Sequence, residues 1–510
     1  MPGAATKVID TPWSRSIQSS RSRPKPGGSY VKRRSVFIAG GAVVGGVLLG
    51  RQAVALADSP VQQPEGGVAG AEAPSATPFQ TPMPMPPVAV PIRRGAFHDE
   101  YEINVQPAQL ELVPGLMTDA LTFGGGWVGP VIRGRTGRPV KVTFRNTLDV
   151  HTNVHLHGGH VEAVNDGHPM DMIMPGDSRT YDYPNSQRGA TLWYHDHVHN
   201  DESEHTYRGL HGIYIVDDPA EASLRLPTGA YDIPIMLSDV KIDSTGALIY
   251  EPPKAIERNI VLVNGKATPF LPVAARKYRF RLINATNEGT YKLTLDKATM
   301  WQIGTDGGLL PAPVARPEIA FGSGERVDVV IDFTGLPKGS SVVLSDAVKG
   351  PILRFDVNFR ATDTRELPQK LRDLPALSAA TVQRDVRLSF DFSNGIPPLA
   401  LVNGKQFDAD RVDFTIKRGT TEIWTVYNDD TEPSILHTFH LHMTHFRVLS
   451  RSGAPMTADD AGLKDTVLVP PGSSVRLQAT FARYLGRYPY HCHFLEHSSI
   501  GMMAQMEIVP

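Results

Sequence analysis

Two stretches of this chain, far apart in the sequence, repeat one pattern. Pro175-Gly176 is followed, nineteen residues after the glycine, by His195 of the run Trp193-Tyr194-His195-Asp196-His197. Pro471-Gly472 is followed at the same interval by His491 of Pro489-Tyr490-His491-Cys492-His493. Each copy has a glycine shortly before the Tyr-His step, Gly189 and Gly486, and a His-Leu-His upstream, at 155–157 and 440–442. A pattern recurring at fixed spacing marks a duplicated module. A third, degenerate copy lies between them. The run Gly324 to Phe333 sits where the strand after Pro-Gly would be, but no histidine pair follows it. Val263-Asn264-Gly265-Lys266 and Val402-Asn403-Gly404-Lys405 open the second and third modules with one turn chemistry.

The repeat constrains the fold. A chain of 510 residues exceeds one ordinary core, so two to four domains are expected. The 46 glycines and 42 prolines, set among short alternating segments, favour an all-β protein rich in turns. Each module is roughly 130 residues, a suitable size for a Greek-key β-sandwich. The expected divisions are 93–222, 223–375 and 376–510, with residues 367–377 as a linker or short helix. Residues 58–92 read as an extended, solvated Pro/Ala-rich linker. Residues 1–57 read as a signal peptide. Lys32-Arg33-Arg34 precedes an apolar run too short for the ~20 residues of a membrane span, and Ala55-Leu56-Ala57 offers a cleavage site. The arginine pair suggests the twin-arginine route, hence a periplasmic, cell-surface or extracellular protein without a membrane anchor after cleavage. Net charge is −2 with scattered Lys and Arg, so no nucleic-acid partner is expected.

Cys492 is the only cysteine and cannot form an intrachain disulfide. On a strand, successive side chains face opposite ways. His491 and His493 would therefore share one face and Cys492 the other. A thiolate, two imidazoles and a weak thioether form the blue-copper ligand set. Cys492, His497 and a following methionine, Met502 or Met503, supply three of the four. The histidine pair is left for a second centre. Four motifs, His155-x-His157, His195-x-His197, His437-x-x-His440-x-His442 and the His491 to His497 segment, use ten of the 18 histidines. Two modules with two pairs each would place eight imidazoles around a shared interface, and neutral imidazole suits copper.

These motifs resemble those of the three-domain multicopper oxidases, bacterial laccase type, related to spore-coat laccase, bilirubin oxidase and phenoxazinone synthase. The likeness runs from about residue 95 to 510. It implies three cupredoxin-like domains and four copper ions, one type 1, one type 2 and two type 3. It further implies that Cys492, His437, His497 and the axial Met502 bind type 1 copper. His155 and His440 would bind type 2 copper, and His157, His195, His197, His442, His491 and His493 the type 3 pair. Cys492 and its two neighbours would link the sites. Asp166 lies where the family places an acid assisting proton delivery, although Asn165-Asp166-Gly167 also reads as a plain turn. Ser498-Ser499 stand where several relatives have an acid, which puts a second carboxylate relay in doubt. The implied activity is one-electron oxidation of a small phenolic or aromatic amine donor coupled to reduction of O2 to water. Alternatives are a cuprous oxidase for copper tolerance or a bilirubin oxidase or phenoxazinone synthase-like activity. A non-catalytic scaffold would require missing ligands. His199, Glu204 and His205 read as exposed loop residues.

Overall fold

The computed structural model describes residues 77–252, 257–393, 395 and 397–510. The signal-peptide reading and the first part of the linker lie outside these residues. The described chain is built from strands, with two short α-helices and a few 3-10 turns. Its strands form six sheets, two from each third of the chain.

One topology recurs three times. Asp99–Val113 pairs parallel with Val140–Asn146, Asp232–Val240 with Lys277–Asn284, and Val382–Asp391 with Thr421–Asn428. The second strand of each pair then runs antiparallel to Ser178–Tyr183, Arg326–Asp332 or Ser474–Thr480. Parallel neighbours require a crossover, and here it is a hairpin-bearing loop to the facing sheet, as in a Greek key. The protein is an all-β molecule of cupredoxin-type Greek-key sandwiches.

Local chemistry makes the repeat. Asn146, Asn284 and Asn428 end the equivalent strands, all buried. Each side-chain oxygen accepts the backbone N–H two residues on, at 3.0, 3.1 and 3.0 Å, the Asx turn that short amides favour. Each side-chain amide donates to two backbone carbonyls of the following loops. Each asparagine carbonyl accepts from the glycine of the repeat, Gly176, Gly324 or Gly472, at 2.9, 2.9 and 3.1 Å. All three glycines have positive φ, which a residue with a Cβ adopts only at a cost. Gly324 is doubly constrained, because a Cβ there would lie 2.8 Å from the His493 ring.

Each sandwich has its own core. Phe144, Tyr181 and Tyr194 lie in the first, Phe280, Phe333 and Phe355 in the second, and Trp424, Phe439 and Tyr490 in the third. Another cluster joins the first two sandwiches, with Trp193 and Ile213 packing on Met236 and Leu262. Residues 79–92 are not a solvated spacer. Phe79, Thr81 and Met83 exchange backbone bonds with Thr268 and Phe270 of the second sandwich. Ala89 and Pro87 do the same with Val131 of the first. Met83 is 5% exposed and sits in the second core. The Pro-rich, nearly uncharged composition read as linker, but the N–H donors Phe79, Met83 and Ala89 are not prolines, and Pro87 serves only as an acceptor. No helix forms at 367–377, where Leu371 is buried and its N–H bonds Pro311.

Candidate metal centre

Alternation along one strand separates two groups of ligand-type side chains. Gly486–Cys492 pairs with His437–Leu441 in register Phe439↔Cys492 and His440↔His491. Cys492 faces the core of the third sandwich. There Cys492 Sγ lies 3.5 Å from both His437 Nδ1 and His497 Nδ1, which are 3.1 Å from each other. His497 stands on the short helix Leu495–Ser499, and its N–H and carbonyl bond Phe494 and Met502. Met502 and Met503 are both fully buried beside it.

Burial sets the protonation here. It pushes the Cys492 thiol up to about 12 and lowers His437 and His497 to about 4. Both imidazoles therefore offer free lone pairs at neutral pH, and a thiolate would need a cation beside it. The other nitrogen of each ring is anchored. His437 Nε2 is 2.9 Å from Asp430 Oδ2, and His497 Nε2 is 3.2 Å from Glu288 Oε1. Glu288 is a quarter exposed, and burial pushes its carboxyl up to about 7.

His491 and His493 point the other way, into a cluster of eight buried imidazoles. It contains the triads His155–His157–His440, His157–His195–His493 and His197–His442–His491. Asp166 makes a further group with His155 and His442. Five inward nitrogens have no hydrogen-bond partner: Nε2 of His155, His195, His440 and His493, and Nδ1 of His157. The Nε2 atoms of His197, His442 and His491 lie 3.1–3.3 Å apart. A buried lone pair without a donor costs free energy. Converging ones fit metal cations; burial keeps the rings neutral, except that at His197 burial is outweighed by the Glu202 carboxylate, which raises the pKa.

The outward nitrogens explain why the rings converge. Nδ1 of His155, His195, His440 and His491 bonds the carbonyls of Asp166, Asp196, Asp465 and Cys492 at 2.6–2.9 Å. His157 is reversed. Its Nε2 bonds Asp465 Oδ1 and Thr466 Oγ1, both at 3.0 Å, leaving Nδ1 inward. Such outer partners fix ring tautomer and orientation. Asp465 is itself held by Arg326, through Nη1–Oδ1 at 2.7 Å and Nη2–Oδ2 at 2.5 Å. Arg326 comes from the second sandwich, and both groups are essentially unexposed.

Two carboxylates back the His197–His442–His491 triad. Asp166 Oδ2 is 2.8 Å from His442 Nδ1, while Oδ1 has no partner. Burial pushes this carboxyl up to about 8. The plain-turn reading accounts for its backbone but not for a buried carboxyl aimed at a ring. The second is Glu202, on the helix Glu202–Tyr207. Its Oε2 lies 2.5 Å from His197 Nδ1, and both side chains are 0% exposed. Burial would raise its pKa, but the charge of His197 and the bond to it hold the carboxyl below its usual range. Ser498 lies near enough to help lower it, though its hydroxyl is placed against His491 Nδ1 at 3.4 Å. A second buried acid is therefore present at this triad, supplied by the first sandwich and not by the positions of Ser498-Ser499. Strand spacing did not single it out, because Glu202 meets His197 from the helix Glu202–Tyr207 and not from a His-x-His strand.

The loop reading of His199, Glu204 and His205 is corrected in two members, since Glu204 and His205 stand on the helix Glu202–Tyr207. His205 is 7% exposed, with Nδ1 3.2 Å from Asp196 Oδ2. Glu204 pairs with Arg208, and His199 packs on Phe407. Glu496 is bonded by Arg258 and Asn287 at 2.5 and 2.8 Å.

Sequence models of the multicopper oxidase family match residues 104–221 and 373–510. A laccase of Bacillus subtilis (strain 168) is 33% identical, over 84% of this chain and 98% of its own length. The chain belongs to the multicopper oxidases. A bilirubin oxidase of Albifimbria verrucaria is 31% identical over 84% of this chain and 80% of that protein. Among solved structures, a laccase from Pediococcus acidilactici superposes with a TM-score of 0.80 at 30% identity, covering 86% of this chain and 95% of that one. As a multicopper oxidase of laccase-like type the protein is a copper-dependent oxidoreductase that uses O2 as electron acceptor, with four copper ions.

Proposed function

We propose that phenolic or aromatic amine donors give up single electrons at the Cys492 group and that O2 is reduced to water at the eight-imidazole cluster. The reading rests on one observation. His491 and His493 enter the cluster, while Cys492 between them enters the His437–His497 group. Copper bound at these positions would supply one-electron redox chemistry and O2 activation. In this assignment Cys492, His437 and His497, with Met502 as axial thioether, hold type 1 copper. His155 and His440 hold type 2. His157, His195, His197, His442, His491 and His493 hold the type 3 pair. Asp166 supports proton supply to the cluster. Glu288, partly exposed on His497 Nε2, is suited to accept a hydrogen bond from a donor hydroxyl or amine. We place the domain divisions at 93–222, 223–375 and 376–510, and read residues 1–57 as an export signal.

The test is oxygen uptake by copper-loaded protein across a panel of phenols, aminophenols, bilirubin and manganous ion. Cys492→Ser should remove the strong visible band and donor-dependent uptake together. A colourless, inactive copper-loaded wild type would overturn the proposal. A second reading, oxidation of Cu(I), is favoured by Met170, Met172 and Met174. These are three thioethers within five residues, exposed at 44, 41 and 48%, and soft thioethers select Cu(I). Faster turnover of Cu(I) than of any organic donor would favour that reading.

A further inference from the structure

A cleft of about 480 Å³ opens beside the cluster, lined by parts of the first and third sandwiches and by the segment at 372–378. Four arginines line it: Arg188, Arg372, Arg447 and Arg483. So does one carboxylate, Asp218, but Arg372 already bonds it at 2.5 Å. Among the described residues the other three guanidiniums bond no carboxylate. Arg188 donates to the carbonyls of Asp373 and Leu309 at 2.9 and 3.3 Å. Arg447 reaches the Pro375 carbonyl at 3.5 Å, and Arg483 donates to Ser186 Oγ at 2.6 Å. The shared segment 373–375 therefore brings Arg188 and Arg447 to one wall.

Two physical tensions follow. The Nε atoms of Arg188 and Arg447 are buried and have no acceptor, which costs free energy. Like charges around a low-dielectric cleft also repel. Burial, and then the charge of Arg372, lowers Arg188 to about 10. An anion in the cleft relieves the repulsion. The cleft is within the size range of small-molecule sites, and Leu377, Met443 and Leu463 give it apolar wall. An organic body with one anionic end matches that lining better than a bare inorganic ion. The His497 face differs, since its neighbour there is the acid Glu288.

We infer that this cleft binds a small organic carboxylate, with its oxygens on Arg188 and Arg447 and its apolar body against Leu377 and Met443. Titration calorimetry of the copper-loaded full chain with benzoate should give one site per molecule. Arg188→Gln and Arg447→Gln should each weaken binding about tenfold or more, the worth of a charge-assisted hydrogen bond. Leu377 is 50% exposed, so Leu377→Glu should fold and place a carboxylate against the arginines, abolishing binding. This variant keeps the test valid if the arginine variants fold poorly. Arg145→Gln, which removes a surface pair with Glu102, should leave binding unchanged. No benzoate binding to the wild type, or equal binding in the wild type and all four variants, would overturn the site. Binding of inorganic phosphate with the same arginine dependence, and not of benzoate, would overturn the organic class.

Discussion

Glu202→Gln should weaken the copper cluster without unfolding the protein. The substitution keeps size and an acceptor oxygen for His197 Nδ1, at 2.5 Å in the native protein, and removes only charge. A hydrogen bond to a charged acceptor contributes about 1.5–3 kcal/mol and one to a neutral acceptor about 0.5–1.5. The difference, about 1–1.5 kcal/mol, is roughly a tenfold change in copper affinity. Total burial of both groups screens the charge little. Loss of outer-ligand partners in metal sites reaches 10–100-fold, so about tenfold is a lower bound. The assay is copper per molecule against a chelator series, with paramagnetic resonance to report the coupled pair, and oxygen turnover measured alongside. Because Ser498 lies near Glu202 and helps lower its carboxyl, the double variant Glu202→Gln with Ser498→Glu returns a carboxylate to the neighbourhood of His197. It should restore copper retention. If Glu202→Gln retains copper like the wild type, or the double variant is no better than the single, the carboxylate reasoning is refuted.

Other outcomes follow from the same geometry. Met502→Leu should raise the reduction potential of the blue site, read by redox titration of its visible band, while Met503→Leu should not; no shift in the first removes Met502 as axial thioether. Asp166→Asn keeps a bond to His442 but loses the acidic proton, so O2 reduction should slow about 10²-fold with copper content unchanged by metal analysis. Without metal, the protein should lose thermal stability as pH falls from about 6.5 toward 4. Burial lowers His437, His491 and His497 to about 4 and His195 to about 3, with His155, His157, His440, His442 and His493 lowered further. The unfolded chain binds these protons first, so stability is present above the unfolded pKa and is lost as pH falls through the folded one. The carboxyls held up, Asp166, Glu221, Glu288, Glu325 and Glu496, and the raised His197 and His205, act in the opposite sense but are fewer. A melting temperature that rises on acidification over this range would show that they dominate.

The metal-type residues were legible because their signals are local. A His-x-His pair on a strand shares a face whatever the strand packs against, and a cysteine between two histidines must face away from them. The repeat around Asn146, Asn284 and Asn428 is equally local, since an amide bonding its own chain two residues on needs no distant partner. Composition misread residues 79–92, because burial of Met83 depends on the second sandwich being there.

By itself the sequence determined which side chains could bind metal, how they pair along strands, and that one module recurs. Tertiary structure alone decided what surrounds them. Asp465 meets His157 across 308 residues and Arg326 across 139. The helix of Glu202 meets that of Ser498, through Ser203 N–H on Ser499 Oγ, and Glu288 reaches His497, only when three sandwiches pack. Strand geometry is set by neighbouring dihedrals, so spacing reveals it. The partners that fix ring tautomers and hold buried charge are set by which surfaces come together, and spacing along one chain carries no record of that.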